Sequence, residues 1–342
     1  MRAFITGVAG SRLTEAERAF MREAQPWGLI VFKRNIAEPD ALRRLISDFR
    51  AILGRDAPIL IDQEGGRVQR MGPPSWPEYP PAGIYGALYE RDRAAGLAAA
   101  RLGARLIAAD LADVGIDIDC MPLADVPVAG ADAVIGDRAF GARPDKVSAL
   151  AAAFAQGLAD GGVLAVLKHI PGHGRATADS HQKLPVVTAD KATLEATDFA
   201  AFRPLVGLPL GMTAHVVFTA VDALAPATTS AAIVRDVIRG FIGYQGLLMS
   251  DDISMGALSG SLGERARAAI SAGCDMVLHC NGNMDEMLAV AAAAPRLEGD
   301  AARRATAALA SRKPAAPIDL AAKRTEFHML IGDVWEQARG TV

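Results

Sequence analysis

The stretch GVLAVLKHIPGHG, residues 162–174, is the most informative part of the chain. Its first six residues form an apolar run typical of a strand buried on both faces, and Lys168 and His169 follow directly. The Pro-Gly-His-Gly that comes next predicts a loop. Because burying an unpaired ammonium is costly, a lysine here indicates either a polar site or a structural ion pair. The loop continues to Asp179 and His181, a carboxylate and an imidazole suited to proton transfer.

Seven more apolar runs accompany this one, and most are nearly continuous, as in parallel strands covered on both faces. Together they predict eight strands at residues 3–8, 29–32, 58–61, 116–121, 163–167, 208–214, 246–250 and 276–279. Helical patterns lie between them at residues 14–24, 39–53, 91–114, 144–160, 192–205, 231–240 and 263–272. Eight strand–helix units predict the α/β class and a single (β/α)8 TIM barrel.

The rival architecture is a doubly wound open sheet, which carries a glycine-rich phosphate loop after its first strand. Residues 7–11 do not match that fingerprint, and no acidic residue ends the second predicted strand. Beyond about residue 283 the chain is Ala-rich and helical, at 285–294, 300–311 and 320–339. We therefore expect one domain over residues 1–342, with the barrel in about 1–295 and a helical tail in 296–342 that packs on it.

The bulk composition narrows the class of protein. The 342 residues are 51% hydrophobic and carry a net charge of −3, so a large core is expected and a basic surface for nucleic acid is not. The three cysteines have no zinc-type spacing, and we expect buried free thiols. Without a signal-like or membrane-spanning run, the sequence predicts a soluble cytoplasmic monomer with no membrane partner.

Polar side chains follow nearly every predicted strand at its carboxyl end. In a barrel these ends meet at one rim, where catalytic residues collect. The groups are Lys33, Arg34, Asp62, Glu64, Arg70, Asp125, Lys168, His169, His215, Asp251, Asp252 and His279. Carboxylates beside cationic donors are typical of a site that holds a ligand with many hydroxyl groups. The alternative is a network of salt bridges around the rim.

Asp251 follows an apolar run, and an ionised carboxylate at a strand end can attack an electrophilic carbon. We favour it over Asp252, which should point away from the site. Asp179 and His181 on their loop are candidates for an acid–base dyad. A metal site is the other possibility, with ligands from His169, His173, His181, His215 and Asp251. The usual His-x-His after the first strand of metal-dependent barrels is missing, since that position holds Gly7.

Five motifs in this order resemble those of glycoside hydrolase family 3. They are DQEGGRVQR at 62–70, IGDRAFG at 135–141, KHIPGHG at 168–174, DSH at 179–181 and SDDISM at 250–255. The chain most resembles the short, single-domain bacterial β-N-acetylhexosaminidases of that family, over roughly residues 1–290. Two departures are Ile170, where phenylalanine is common, and His279 in place of an apolar residue.

The resemblance implies an enzyme that removes non-reducing terminal β-linked N-acetylglucosamine, from 1,6-anhydro-N-acetylmuramic acid-containing muropeptides in cell-wall recycling. It implies Asp251 as nucleophile and His181 as acid–base paired with Asp179, with no cofactor or metal. It also implies a sugar-binding set made of Asp62, Arg70, Arg138, Lys168 and His169. Two other functions remain open, a phosphorylase that uses phosphate in place of water and a sugar-binding protein without activity.

Overall fold

Eight parallel strands close into a barrel in the computed structural model, which describes residues 1–339. The strands are β1 Arg2–Thr6, β2 Pro26–Val31, β3 Ile59–Ile61, β4 Ile118–Asp119, β5 Leu164–Ile170, β6 Leu210–Thr213, β7 Leu247–Asp252 and β8 Met276–His279. Each pairs with its successor along the chain, and β8 closes the barrel against β1 with Phe4 opposite Val277. The predicted (β/α)8 barrel is confirmed.

Helices follow the strands and cover the outside of the barrel. The α-helices are α1 Glu15–Ala24, α2 Pro39–Leu53, α3 Ala82–Arg91, α4 Arg93–Asp113, α5 Pro144–Asp160, α6 Lys191–Ala196, α7 Leu262–Ala272, α8 Met284–Ala293, α9 Gly299–Ala310 and α10 Leu320–Arg339. A 3-10 helix spans Phe199–Leu205, and a helix with π-type hydrogen bonding spans Ile233–Ile242. The bounds of α2 and α5 agree with the prediction.

Two predicted helices are divided in the structure. The pattern at 91–114 is interrupted by Asp92, whose side chain accepts hydrogen bonds from the amides of Ala94 and Ala95 and so begins α4 anew. The pattern at 192–205 breaks at Thr197 and continues as a 3-10 helix containing Pro204, which lacks the amide hydrogen that an α-helix needs. The preceding helix α3 was not predicted.

Apolar side chains fill the barrel from within and separate it from the helices outside. The inner group combines alternate residues of all eight strands, such as Ile5, Ile30, Leu60, Val166 and Met249. A larger group lies between the strands and the surrounding helices. Because the interior is packed with side chains, a ligand can bind only at a rim, and the predicted site residues lie at the carboxyl-terminal rim.

The end of the chain closes the opposite, amino-terminal rim. Helix α9 places Ala305 and Ala308 against the inner group, and Arg304 pairs with the buried Asp275 at 2.8 Å. Arg312 binds the buried Asp117 at 3.0 Å. Helix α10 lies on α3 and α4, where Arg324 binds Asp110 at 2.6 Å. Within residues 1–339, no helix combines the length and apolar character needed to cross a membrane.

Candidate active site

A pocket of about 460 Å³ opens at the carboxyl-terminal ends of the strands. This size suits a small ligand. All eight predicted site residues line it: Asp62, Arg70, Arg138, Lys168, His169, Asp179, His181 and Asp251. Its wall also includes Phe32, Arg34, Glu64, Arg67, His173, Ser180, Asp252, Met255, Cys280 and Asn281. The structure therefore brings together residues that are spread over most of the sequence.

Lys168 is the cation at the floor of the pocket, at the end of β5. Its side chain is only 2% exposed, and its ammonium lies 3.0 Å from Asp62 Oδ1 and 2.6 Å from Glu64 Oε1. Burial acts to lower the pKa of Lys168, but the two carboxylates outweigh it and raise the pKa above its ordinary value. Arg70 donates to the other oxygen of Asp62 at 3.2 Å. The ion-pair network considered as an alternative is thus present, and it lines the pocket.

Glu64 is a site residue that the sequence interpretation did not single out for a role. It is buried and accepts two hydrogen bonds from Arg138, Nε to Oε2 at 2.8 Å and Nη2 to Oε1 at 2.9 Å. This bidentate contact fixes the guanidinium plane, while the same carboxylate holds Lys168. Burial acts to raise the pKa of Glu64, but Lys168 and Arg138 hold it below its ordinary value. Glu64 therefore orients two of the predicted sugar-binding cations.

His169 is held by the carboxylate of Asp125, which lies in the segment after the neighbouring strand β4. Its Nδ1 lies 2.8 Å from Asp125 Oδ2, and since a carboxylate only accepts, Nδ1 carries the proton. The other oxygen of Asp125 accepts from the His173 amide at 2.6 Å. Burial acts to raise the pKa of Asp125, but the His169 ring helps to lower it overall. The His169 ring thus turns Nδ1 towards Asp125 and leaves Nε2 free of that contact.

The loop after β5 carries Asp179 and His181 at the mouth of the pocket. The His181 amide and its Nδ1 both donate to Asp179 Oδ1, at 2.9 and 2.7 Å. Partial burial acts to raise the pKa of Asp179, but these hydrogen bonds lower it overall, so Asp179 is ionised at neutral pH. The imidazole remains 65% exposed, which leaves Nε2 free to exchange a proton with a bound molecule.

Asp251 and Asp252 end β7, and both line the pocket, so the expectation that Asp252 points away is wrong. The carboxylate of Asp252 accepts from the Ser254 amide and hydroxyl at 3.0 and 2.7 Å and from the Cys280 amide at 3.2 Å. Asp251 accepts from the Asp252 amide at 2.8 Å through Oδ1. Burial acts to raise the pKa of Asp251, but the His215 and His169 rings help to lower it overall. Asp251 is therefore ionised, and its carboxylate accepts fewer hydrogen bonds from the protein than that of Asp252.

His215, at the end of β6, supports the backbone of these aspartates. It is fully buried, and its Nε2 donates to the Asp252 carbonyl at 3.0 Å. Nδ1 consequently accepts from the Thr228 hydroxyl at 2.7 Å. Burial lowers the pKa of His215, which keeps the ring neutral. This histidine, which the sequence places on the polar rim and among the possible metal ligands, is engaged on both nitrogens by protein groups.

Neither the metal alternative nor the cysteine prediction fits the structure fully. Across residues 1–339, His, Cys, Asp and Glu side chains form no group of three or more arranged to hold a metal ion. All three cysteines are free thiols, as predicted, but only Cys120 and Cys274 are buried. Cys280 is partly exposed and lines the pocket beside Asn281, because it points inward from the end of β8.

The model of the family described as "Glycosyl hydrolase family 3 N terminal domain" matches residues 5–308. The chain belongs to glycoside hydrolase family 3. It is 42% identical over 279 residues to the Beta-hexosaminidase of Alkalilimnicola ehrlichii, which covers 80% of this chain and 79% of the relative. A protein of the same name from Chromobacterium violaceum is 40% identical over 295 residues, 84% of this chain and 82% of the relative.

Solved structures of family 3 members superpose on almost the whole chain. Native NagZ from Neisseria gonorrhoeae has a TM-score of 0.85 at 31% identity, with 98% of each chain covered. The same protein in complex with N-trifluoroacetyl-D-glucosamine gives a TM-score of 0.84, covering 98% of this chain and 97% of that one. A Beta-N-acetylhexosaminidase from Beutenbergia cavernae gives 0.75 at 26% identity, covering 99% and 96%. The predicted family and the predicted class of enzyme, a glycoside hydrolase, are confirmed.

Neither of the two departures from the family 3 pattern lines the pocket. Ile170 is buried in the core around the barrel and does not line the pocket. His279 is fully buried, with Nε2 3.1 Å from Glu286 Oε2. Glu286 also accepts from the Asn281 side chain, which does line the pocket. His279 thus packs beneath the rim, and Glu286 connects it to the pocket-lining Asn281.

Replacing Lys168 by methionine should destabilise this family 3 fold as well as its pocket. Methionine fills a similar volume but leaves the buried Glu64 carboxylate and the partly buried Asp62 carboxylate with one cation fewer. We expect the free energy of unfolding to fall by about 3–5 kcal/mol, measured by urea denaturation at pH 7. The matched control is Lys183→Met at an exposed lysine, where the change should stay within about 0.5 kcal/mol. A loss below about 1 kcal/mol for Lys168→Met would show that the network is not needed to hold the fold.

Proposed function

We propose that this chain is a retaining exo-β-N-acetylglucosaminidase that cleaves non-reducing terminal N-acetylglucosamine through a covalent glycosyl-enzyme. The observation that carries the proposal is one pocket lined by an ionised carboxylate, Asp251, and by the Asp179–His181 dyad on a separate loop. Retaining glycosidases need these two functions, a nucleophile and a group that gives and then takes a proton. Relatives covering most of the chain are named Beta-hexosaminidase, which supports the same sugar.

In the first step, a carboxylate oxygen of Asp251 attacks the anomeric carbon and forms a C–O bond to it. The bond from that carbon to the leaving oxygen breaks with its electron pair, and His181 donates its Nε2 proton to that oxygen. Asp179 accepts from Nδ1 throughout and stabilises the imidazolium before the transfer. The products are the glycosyl-enzyme ester and the alcohol of the leaving sugar.

In the second step, neutral His181 takes a proton from a water molecule as that water attacks the anomeric carbon. The ester bond to Asp251 breaks, the carboxylate is restored, and the imidazolium is regenerated for the next cycle. Two inversions at one carbon give overall retention of the β-configuration. One histidine can serve both steps because an imidazole nitrogen is able both to donate and to accept a proton.

The remaining pocket residues are proposed to bind the sugar. Asp62 retains lone pairs for hydroxyl groups in addition to those used by Lys168 and Arg70. Arg70 and Lys168 supply donors, Arg138 is positioned by Glu64, and His169 presents Nε2. N-trifluoroacetyl-D-glucosamine binds the NagZ of Neisseria gonorrhoeae, and that ligand differs from N-acetylglucosamine only in its acyl group. This supports an N-acylated glucosamine as the sugar held here.

For the natural substrate we propose muropeptides bearing N-acetylglucosamine linked to 1,6-anhydro-N-acetylmuramic acid, in peptidoglycan recycling in the cytoplasm. The support is the resemblance of the five motifs to the short bacterial family 3 enzymes. We further propose that the chain acts as a monomer and folds as one domain, the helical tail included. Contacts of α9 with the barrel and of α10 with α3 and α4 support the single domain.

The decisive experiment traps the covalent intermediate. The protein is incubated with a 2-acetamido-2-deoxy-5-fluoro glycosyl fluoride, and the adduct is located by mass spectrometry after proteolysis. We expect one sugar on Asp251 and loss of activity towards p-nitrophenyl N-acetyl-β-glucosaminide. An adduct on Asp252 would overturn the assignment, and no adduct with no cleavage would favour a sugar-binding protein. Turnover that depends on added phosphate and yields the sugar 1-phosphate would identify a phosphorylase instead.

A further inference from the structure

The loop that carries Asp179 and His181 lies against the turn that follows β7. The amide of Gly256 donates to the carbonyl oxygen of His181 at 3.2 Å, and the amide of Ala257 donates to that of Ser180 at 3.1 Å. Both segments are loops, so these two hydrogen bonds are not part of a strand or a helix. They connect the loop of the dyad directly to the segment that leaves the strand bearing Asp251.

The approach of the two segments is close enough to require glycine at position 256. A Cβ atom there would lie 2.8 Å from the carbonyl oxygen of Gln182 and 2.9 Å from that of His181. Both are backbone atoms, so no flexible side chain can move aside. Gly256 is not among the glycines with positive φ, so an alanine at this position would be strained by the contact alone. The missing side chain therefore serves the contact with the dyad loop.

A second contact holds the same loop through the side chain of Ser180. Nε2 of His173 is hydrogen bonded to the Ser180 hydroxyl at 3.0 Å, and His173 is itself buried and fixed through its amide by Asp125. Ser180 stands between Asp179 and His181, so both contacts act on the dyad. With Nδ1 of His181 donating to Asp179, the backbone position of this short segment determines where Nε2 lies.

We propose that Gly256 is a positioning residue for the acid–base step. Because Gly256 has no side chain, the loop that carries Asp179 and His181 can pack against the turn that follows Asp251 and Asp252. The inference rests on the proposed function and deepens it, because it makes the position of the proton donor depend on the segment next to the nucleophile. Alanine at 256 pushes the His181 backbone outward and so shifts the imidazole, although no side chain of the dyad is removed. Small misplacements of catalytic groups are costly, about 10²-fold for 1 Å.

The test uses two substrates with different leaving groups. It distinguishes misplacement of the proton donor His181 from a general loss of activity or folding. The dinitrophenolate of 2,4-dinitrophenyl N-acetyl-β-glucosaminide departs without a proton, whereas the sugar alcohol released from N,N′-diacetylchitobiose requires one. Since kcat/KM reports the steps up to formation of the glycosyl-enzyme, it is measured for both substrates. For Gly256→Ala we expect a loss of about tenfold or more on diacetylchitobiose and less than about threefold on the dinitrophenyl substrate.

A matched glycine and a second anchor variant complete the design. Gly207→Ala is the control, because a Cβ there meets no atom within 4 Å and its φ is not positive. It should leave both values unchanged. Ser180→Ala removes the hydroxyl that His173 holds and should repeat the selective loss. Amide hydrogen exchange in residues 178–184 should be faster in Gly256→Ala than in the control.

The outcomes distinguish failure of the inference from failure of the proposed function. Equal losses on the two substrates, or none on either, would overturn the positioning role of Gly256 while leaving the glycosidase intact. A wild-type protein that cleaves neither substrate would overturn the proposed function itself. A loss of kcat/KM confined to diacetylchitobiose, together with faster amide hydrogen exchange in residues 178–184, would establish that Gly256 positions the loop of Asp179 and His181.

Discussion

Asparagine in place of Asp251 should lower kcat/KM on p-nitrophenyl N-acetyl-β-glucosaminide by about 10⁴-fold or more, since removing the group that forms a covalent intermediate is among the costliest changes in an enzyme. The amide retains the size of the carboxylate and can still accept from the Asp252 backbone. It cannot attack the anomeric carbon, because its oxygen lacks the negative charge. Steady-state kinetics with the purified variant, together with loss of labelling by the 5-fluoro sugar, measure this effect.

Asp252→Asn is the matched control, one residue along the same strand. The carboxylate of Asp252 is occupied by the Ser254 amide and hydroxyl and by the Cys280 amide. Asparagine retains one acceptor for these donors, so we expect a loss far smaller than that of Asp251→Asn and unimpaired labelling of Asp251. The nucleophile assignment is wrong if Asp252→Asn is the more damaging of the two.

Alanine in place of His181 should give a loss that depends on the leaving group. On diacetylchitobiose, where the departing oxygen needs a proton, we expect kcat/KM to fall by about 10²–10⁴-fold, the usual contribution of general acid catalysis. On the 2,4-dinitrophenyl substrate kcat/KM should stay close to that of the wild type. Deglycosylation also loses its base, so the glycosyl-enzyme should accumulate with this substrate and be visible by intact-protein mass spectrometry.

Asp179→Asn provides the companion measurement for the dyad. The variant removes the charge that stabilises the imidazolium but preserves an acceptor for Nδ1 of His181. We expect an intermediate loss of kcat/KM on diacetylchitobiose, because the imidazolium that donates the proton loses its anionic partner. If His181→Ala reduced activity equally on both substrates, another group would have to be the proton donor.

The barrel could be predicted because its strands are nearly continuous apolar runs, a local signal that tertiary contacts do not alter. Helix α2 shows a clear amphipathic pattern, with Pro39 at its start and Gly54 at its end. Helix α3 gave no comparable signal, since most of its ten residues are buried and Gly83 and Gly86 weaken its helix propensity. The backbone carbonyl of Phe140 lies where a side chain at Gly86 would stand, a contact that no local pattern reveals.

The polar rim could be predicted for a similar reason, because barrel topology places all strand ends on one side. Glu64 is predicted to lie on this rim but has no predicted role, because the sequence does not show which side chains it meets. It is buried only because Arg138 and Lys168 arrive from distant parts of the chain. The contact of Gly256 with the dyad loop likewise depends on two segments far apart in sequence. Pairings of this kind are properties of the folded chain, which a single sequence does not display.

The pairing of Phe4 with Val277 joins the first strand of the barrel to the last, so the barrel cannot close during translation until β8 has been made. Strand β1 leaves the ribosome first, yet its partner β8 is made only after the other six strands. Until then both ends of the growing sheet are unpaired edges, which are prone to associate with other chains. Arg304 and Arg312 come later still, and they add a second arginine to Asp275, which already binds Arg239, and to Asp117, which already binds Arg50. The growing sheet therefore keeps two unpaired edges until β8 has emerged and pairs with β1.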